Sequence, residues 1–350
     1  MKLLITTQVI DKNDPILGFF HRWVEEFAKH FEHVYVICLR EGEHSLPANV
    51  SVYSLGKENG ESRVKYVWRF YIYFSHIFFQ ERVDFVFFHM GAIYNILASP
   101  FFLLRKITGT QFFWWKTHGK LTLLGKCASV FVDTIVTAGN ASFNMATTKV
   151  HVVGHAIDTQ LFTLHPRSND HTSIRMVIVG RVTPIKKIEI AFDTLTSLKK
   201  IGNRSVCLDV YGPVVDMQYK QMLDTLIITH NLENEVFFKG SVKQHELAEI
   251  YAQYDVLLHP AYEAGFDKVV LEAMASGVIP ITSIKSFETI LKPFGLYVDA
   301  QDVDGYVVAI QTITALTLQE RETLVTMLRS SVVHDHSVTT LPSRIFGLLA

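Results

Sequence analysis

Short uninterrupted apolar runs, rather than strict apolar/polar alternation, mark the first half of the chain. They are Leu3–Ile10, Val34–Leu39, Val50–Leu55, Phe85–His89, Gln111–Trp115, Thr134–Thr137 and Val150–Val153. Such runs predict strands buried on both faces of a parallel sheet. Helix-period segments such as Phe19–Phe31 lie between them. The second half repeats the plan with Met176–Gly180, Val206–Gly212, Val236–Gly240, Val256–Pro260, Val278–Thr282 and Leu296–Val298. Helical patterns over about Lys186–Lys200, Tyr219–His230, His245–Tyr254 and Lys268–Ser276 alternate with these strands. Strand–helix alternation twice over predicts an α/β protein of two doubly wound, Rossmann-like domains. Gly154, Asp158 and Pro166 break the pattern, so the hinge is expected within His155–Pro166. The domains are assigned to residues 1–160 and 161–350, with a last helix near 338–350 free to pack back on the first domain.

Tyr66–Phe79 is apolar nearly all round and dense in aromatic residues. A buried core helix is the ordinary reading of such a segment. The sharper reading is a membrane-facing element, with Lys57, Arg63, Lys65 and Arg69 near anionic headgroups. Neither this segment nor Tyr94–Leu104 reads as a membrane span, being too short or interrupted by Arg69 and His76.

Composition narrows the class. Of 350 residues, 49% are apolar and 19% charged, which fits two packed globular domains. A net charge of −1 gives no bulk drive toward nucleic acid, and none is expected as a partner. Cys38, Cys127 and Cys207 are scattered without a CxxC pair, so they read as core residues in a reducing compartment, with neither a metal site nor a disulfide framework expected. Met1-Lys2 leads directly into a strand, so no signal peptide is expected. The expected location is cytoplasmic, with a peripheral contact on the inner membrane face as the variant reading.

The most informative stretch is His259-Pro-Ala-Tyr-Glu-Ala-Gly-Phe-Asp-Lys-Val-Val-Leu-Glu-Ala-Met-Ala-Ser-Gly277. An apolar strand runs into a Gly265 turn that opens a helix. A helix N-terminus so placed is an anion site, and Lys268 in its first turn adds full charge. Glu272 follows one turn on, on the same face, as an acceptor for hydroxyls. Phosphate site, cation and hydroxyl acceptor in that order describe a sugar-nucleotide site. A second stretch, Val177-Ile-Val-Gly-Arg-Val-Thr-Pro-Ile-Lys186-Lys187, ends a strand at Gly180 and presents Arg181 and Lys186. Pro184 suits the first turn of a helix. Both stretches fall at carboxyl ends of strands, where open α/β sheets bind ligands. Solvated surface cations are the bland alternative, and Arg181 and Lys186 are in either case expected to be exposed.

Gly180-Arg-Val-Thr-Pro-Ile-Lys186 resembles the G-R-x-x-P-x-K segment of family 4 glycosyltransferases. Asp255–Gly277 resembles their signature, a D-V-x-x-x-P-S run followed by E-G-F-G-x-x-x-L-E-A-M-A-x-G. Asp209-Val-Tyr-Gly-Pro213 and Val236-Phe-Phe-Lys-Gly240 match the next two strand ends of that family. The resemblance covers most of residues 174–283 and implies the GT-B architecture, two Rossmann-like domains facing across a cleft. It implies retaining transfer of a sugar from a UDP- or GDP-type donor, without an essential metal or other cofactor. The implied donor site comprises Gly180, Arg181, Lys186, Gly212, Gly240, Gly265, Phe266, Asp267, Lys268, Val269 and Glu272. Arg181 and Lys186 would hold the diphosphate, and Glu272 the ribose. The family signature carries a glutamate where this chain has Ala264; Glu263 or Asp267 is expected to take over that contact with the donor sugar, and Asp267 also stands where it could cap the helix.

The first domain is expected to carry the acceptor, a glycan or a lipid-linked acceptor. Gly18, in Asp14-Pro-Ile-Leu-Gly18, follows the first strand where the family often has a glycine-rich loop. His89 ends a D-x-x-x-x-H run, and His118, in Trp115-Lys-Thr-His-Gly119, ends the next strand; a histidine there lines the reaction centre in related transferases. His155 reads either as a cleft residue or as a structural one. A sugar-nucleotide epimerase and a non-catalytic sugar-nucleotide-binding partner in a glycan-assembly complex are the rival readings. A dehydrogenase is disfavoured, because no G-x-G-x-x-G follows the first strand.

Overall fold

The computed structural model describes residues 1–14, 16–117, 121–143, 145, 147–165, 173–202, 205–262 and 267–347. The chain divides into two compact units, Met1–Ala156 with the C-terminal segment from Val338, and Ile157–Ser337.

In the first unit, apolar residues on both faces of β1 (Lys2–Ile10) place it mid-sheet, with Leu3, Leu4 and Ile5 fully buried. Helix α1 (Phe19–His30) leads to β2 (His33–Glu41) and β3 (Val50–Ser54). Then follow α2 (Arg63–His76), β4 (Phe85–His89), α3 (Ala92–Leu97), α4 (Ser99–Thr108) and β5 (Gln111–Trp115). The unit continues with α5 (Leu123–Ala128), β6 (Thr134–Thr137) and β7 (Val150–Val152). All seven strands are parallel, in the order β3-β2-β1-β4-β5-β6-β7. One face of the sheet buries Phe70 and Phe74 of α2 with Phe101 and Phe102 of α4 in a single cluster. The opposite face carries α1.

In the second unit, β8 (Ser173–Val179), α6 (Ile188–Ile201), β9 (Ser205–Tyr211), α7 (Met217–Thr229) and β10 (Val236–Gly240) build one half. The other half is α8 (Gln244–Tyr251), β11 (Val256–His259), α9 (Lys268–Ser276) and β12 (Ile279–Thr282). Helices α10 (Glu288–Leu291), α11 (Val303–Ala315) and α12 (Leu318–His336) complete it. Its five strands are parallel, in the order β10-β9-β8-β11-β12. The order reverses at β8, so β9 and β11 flank it on opposite sides, the arrangement whose strand carboxyl ends bind ligands in open α/β sheets.

The last helix, α13 (Leu341–Phe346), belongs to the first unit. The Phe346 ring packs 5.9 Å from Phe27, 5.1 Å from Phe31, 5.0 Å from Phe85 and 5.3 Å from Phe113.

Two expectations from the pattern are corrected. Leu296–Val298 is not a strand: Tyr297 makes one isolated bridge to Thr282. Gly295, at φ 69°, turns the chain just before it, and the Asp302 N–H to Asp299 carbonyl bond turns it away just after. The Tyr66–Phe79 segment is neither wholly buried nor a single α-helix. It is α2 followed by a π turn over Ile77–Glu81, and only its inner arc is covered.

Candidate nucleotide-sugar site

Three successive strand ends in the second unit finish in glycines with positive φ, and at Gly212 packing leaves no room for a side chain. A Cβ on Gly212 (φ +144°) would lie 1.9 Å from the Gly180 carbonyl oxygen. A Cβ on Gly180 (φ +146°) would lie 3.2 Å from Lys186 Cε. Gly180 thus lets the Lys186 side chain lie back over the end of β8. Lys186 itself closes a 3₁₀ turn, Pro184–Lys186, directly ahead of α6. The loop after β11 is tied to this turn, because Tyr262 N–H donates to the Ile185 carbonyl at 3.2 Å.

The turn delivers the Lys186 ammonium to two partners from β11 and the start of α9. Nζ donates to Asp267 Oδ2 at 2.5 Å and lies 3.3 Å from His259 Nε2. His259 Nε2 lies in turn 3.0 Å from the same carboxylate oxygen. On the other side of the ring, Thr282 Oγ1 donates to the His259 carbonyl at 3.0 Å, leaving its lone pairs toward His259 Nδ1 at 3.3 Å. That geometry gives Nδ1 the donor role, and Nε2 stands between an ammonium that donates and a carboxylate that accepts. Burial opposes the charge on Asp267, but His259 and Lys186 together outweigh it and hold the carboxyl well below the usual carboxylate range.

Lys186 is therefore buried, 8% exposed, and not the exposed side chain expected from the sequence. The reason is the Asp267–His259 pair, which compensates its charge inside the fold. Arg181 is exposed, as expected. Asp267 occupies the N-cap position of α9 but makes no capping hydrogen bond, because its carboxylate is committed to Lys186 and His259.

One turn into α9, Glu272 is buried and accepts from Gln244 Nε2 at 3.3 Å. Burial pushes its carboxyl up, and the nearby Lys268 ammonium and the Gln244 amide partly offset this. Burial likewise pushes Lys268 down against the pull of Glu272 and Asp267. Val269 is partly buried beside them, and its carbonyl accepts from Tyr251 OH at 3.3 Å. The carboxyl ends of β8 and β11 thus bring Arg181, Lys186, the α9 N-terminus, Lys268 and Glu272 to one edge of the sheet. Its chemistry is that of an anion site with a carboxylate acceptor one turn away. Glu263, Ala264, Gly265 and Phe266 lie outside the described residues, as do His118 and Gly119.

Two of the first-unit histidines expected at the cleft, His89 and His155, are buried. His89 is buried, stacked on Phe20 at 3.9 Å, with Nδ1 3.0 Å from Thr7 Oγ1. It ends β4, flanked by β1 and β5, and Phe20 of α1 lies over its ring. His155 is also buried, its ring 6.5 Å from Trp23 and 6.0 Å from Trp115, with Nδ1 accepting from Ala156 N–H. Gly18 lies in a tight turn ahead of α1, where a Cβ would meet the Asp14 carbonyl at 2.6 Å.

Sequence reasoning missed His259 and Gln244. The signal for His259 was a polar residue closing an otherwise apolar strand run; Gln244 had none, since its contact spans distant parts of the chain.

The fold is GT-B, shared over the full chain with solved glycosyltransferase structures. Anabaena Alr3699/HepE in complex with UDP is 15% identical, with a TM-score of 0.74 over 100% of this chain and 99% of that one. Sucrose-phosphate synthase from Thermosynechococcus elongatus is 16% identical, with a TM-score of 0.72 over 99% and 98%. The lipopolysaccharide outer core galactosyltransferase WaaB, in its apo form, is 15% identical, with a TM-score of 0.69 over 100% of both chains. Residues 163–324 match the family model described as "Glycosyl transferases group 1". That match spans the Lys186, His259, Asp267 and Glu272 constellation. A search of curated protein sequences returns no match.

Proposed function

We propose that this chain is a retaining glycosyltransferase of family 4 type, moving a sugar from a UDP- or GDP-sugar to a glycan or a lipid-linked acceptor. The observation that carries the reading is the convergence of Lys186, the α9 N-terminus and Glu272 at the strand-order reversal of the second unit. The group 1 family match over the same residues supports it, as do GT-B neighbours solved with UDP. A lipopolysaccharide-acting neighbour supports a glycoconjugate acceptor.

In this reading the second unit holds the donor and the first unit the acceptor. The diphosphate displaces Asp267 from Lys186, and the carboxylate keeps His259 as its partner. As the glycosidic bond breaks, the leaving diphosphate gains charge that Lys186, Arg181 and the α9 dipole stabilise, without a metal or other cofactor. Glu272 accepts from the ribose hydroxyls. Front-face departure and attack, with retention, rest on the resemblance of the two sequence motifs.

Incubation with radiolabelled UDP- and GDP-sugars and candidate acceptor glycans tests this reading. Nucleotide release with label transfer supports it, and the anomeric configuration of the product, read by NMR, decides retention. Interconversion of the donor sugar would instead mean an epimerase, and binding without turnover a non-catalytic partner.

A further inference from the structure

The outward arc of α2 has the wrong polarity for a solvated helix. Its inner arc, Phe70, Phe74 and the following Ile77, is fully buried. Its outer arc carries Val64 (78% exposed), Trp68 (64%) and Ile72, at helical spacing, continued by Phe79 in the π turn. Neighbouring elements extend the field: Ile107 on α4 is 85% exposed and Leu123 on α5 79%. Scattered exposed apolar residues are ordinary, but a field across three elements is not.

These elements face one way. Their inner sides share one core cluster on one face of the sheet. Phe74 of α2 lies 4.5 Å from Phe101 of α4, and Phe102 of α4 lies 6.2 Å from Phe131, just after α5. A groove of about 410 Å³ opens between the Phe79 and Ile107 ends of α2 and α4, with Arg82 on its wall.

Charge selects the occupant. Between Asp84 and Asp133 the chain has no acidic residue, while Arg105, Lys106, Lys116, Lys120 and Lys126 fall in that stretch. The whole chain is at −1, so this is local segregation of charge. Arg63, Lys106 and Lys126 are exposed and make no ion pair among the described residues. Nearby carboxylates are already committed: Glu61 to Lys65 and Arg69, Glu81 to Lys2, and Asp133 to Arg105. A second copy of the same face would set like charge against like charge. Among the described residues no helix is long and apolar enough to cross a membrane.

We propose that the α2–α4–α5 face docks on an anionic lipid bilayer, with the Val64–Trp68–Ile72 stripe entering the interface and Arg63, Lys106 and Lys126 meeting the headgroups. The proposal stands apart from the sugar-transfer reading, since it uses no residue of the donor site.

Trp68 is a built-in reporter, because Trp23, Trp114 and Trp115 are all buried. The full-length protein is titrated with vesicles of phosphatidylcholine alone or mixed with phosphatidylglycerol. Tryptophan emission should shift to the blue and become protected from acrylamide on the anionic vesicles only, and high salt should reverse both effects. Arg63→Glu combined with Lys106→Glu keeps the reporter and should weaken partitioning by about tenfold or more, since each basic residue near such a surface contributes about fivefold. Val64→Ser with Ile72→Ser should lower vesicle co-sedimentation without changing the far-UV spectrum. Absence of any shift on anionic vesicles at low salt overturns the proposal, as does equal binding to neutral vesicles. Protection of Trp68 without lipid, rising with protein concentration alongside a dimer in sedimentation, assigns the face to a second copy instead.

Discussion

Lys186 Nζ stands 2.5 Å from Asp267 Oδ2, so the lysine at this strand end already has an anion of its own chain. Any diphosphate arriving there competes with that carboxylate. Asp267→Asn should therefore tighten binding of free UDP or GDP by about tenfold, the scale of one close charge-pair coupling. Calorimetry reads this directly, and unchanged affinity for both nucleotides would remove Asp267 as a competitor.

Acid stability offers a separate reading of the same carboxylate. Its pKa is depressed in the fold, so the stability it contributes is complete above its unfolded value, about 4, and is lost as pH falls below that. Wild type should lose stability between about pH 5 and pH 2 more steeply than Asp267→Asn. Denaturant titrations across that range check the difference in slope. Parallel curves would mean that His259 and Lys186 do not hold the charge.

Arg181 and Lys186 should separate when each is replaced by alanine. Loss of either should cost about 2–4 kcal/mol in kcat/KM for donor turnover. Only Lys186→Ala should also lower thermal stability, by about 1–3 kcal/mol, because it strips a buried carboxylate and histidine of their partner. Equal melting temperatures for the two variants would contradict the buried position of Lys186.

Glu272→Gln distinguishes a ribose contact from a helix-packing role. Loss of a charged acceptor for hydroxyls should weaken UDP or GDP by about 1–3 kcal/mol while leaving inorganic pyrophosphate untouched. If pyrophosphate weakens equally, Glu272 acts through Lys268 and the charge balance of the site.

Two strand-end glycines should respond very differently to alanine. At Gly212 the added Cβ would collide with the Gly180 carbonyl at 1.9 Å, so loss of several kcal/mol or failure to fold is expected. At Gly240 (φ +77°) no atom lies within 4 Å of the added Cβ, leaving only left-handed strain of about 1–2 kcal/mol. Similar melting temperatures for both variants would mean that the β8 and β9 ends do not approach as closely as described.

Much of this arrangement could be read along the chain, because the apolar runs that make strands are local. β4, β5, β6 and β10 span the residues marked by hydrophobicity alone. Helix α9 runs over Lys268–Ser276 because Gly277 at φ 79° ends it. What escaped depends on which distant segments meet. His259 looks like one more buried strand residue until Lys186 and Asp267 are brought to it across the sheet. The stacking of His89 on Phe20 of α1 likewise could not be read from its place at a strand end. The apolar character of α2 was plain, but its division into a covered and an uncovered arc follows from the elements beside it.

The route of the chain has a consequence for biosynthesis. The first unit begins at Met1, is left at Ala156 and is rejoined only at Val338, whereas the second occupies one continuous stretch. During translation α13 is made only after the whole of the second unit. Until then Phe27, Phe31, Phe85 and Phe113 lack the ring of Phe346 that covers them. The part of the protein made first is thus finished last, and the aromatic face it leaves open is closed only by a segment that lies beyond the whole second unit.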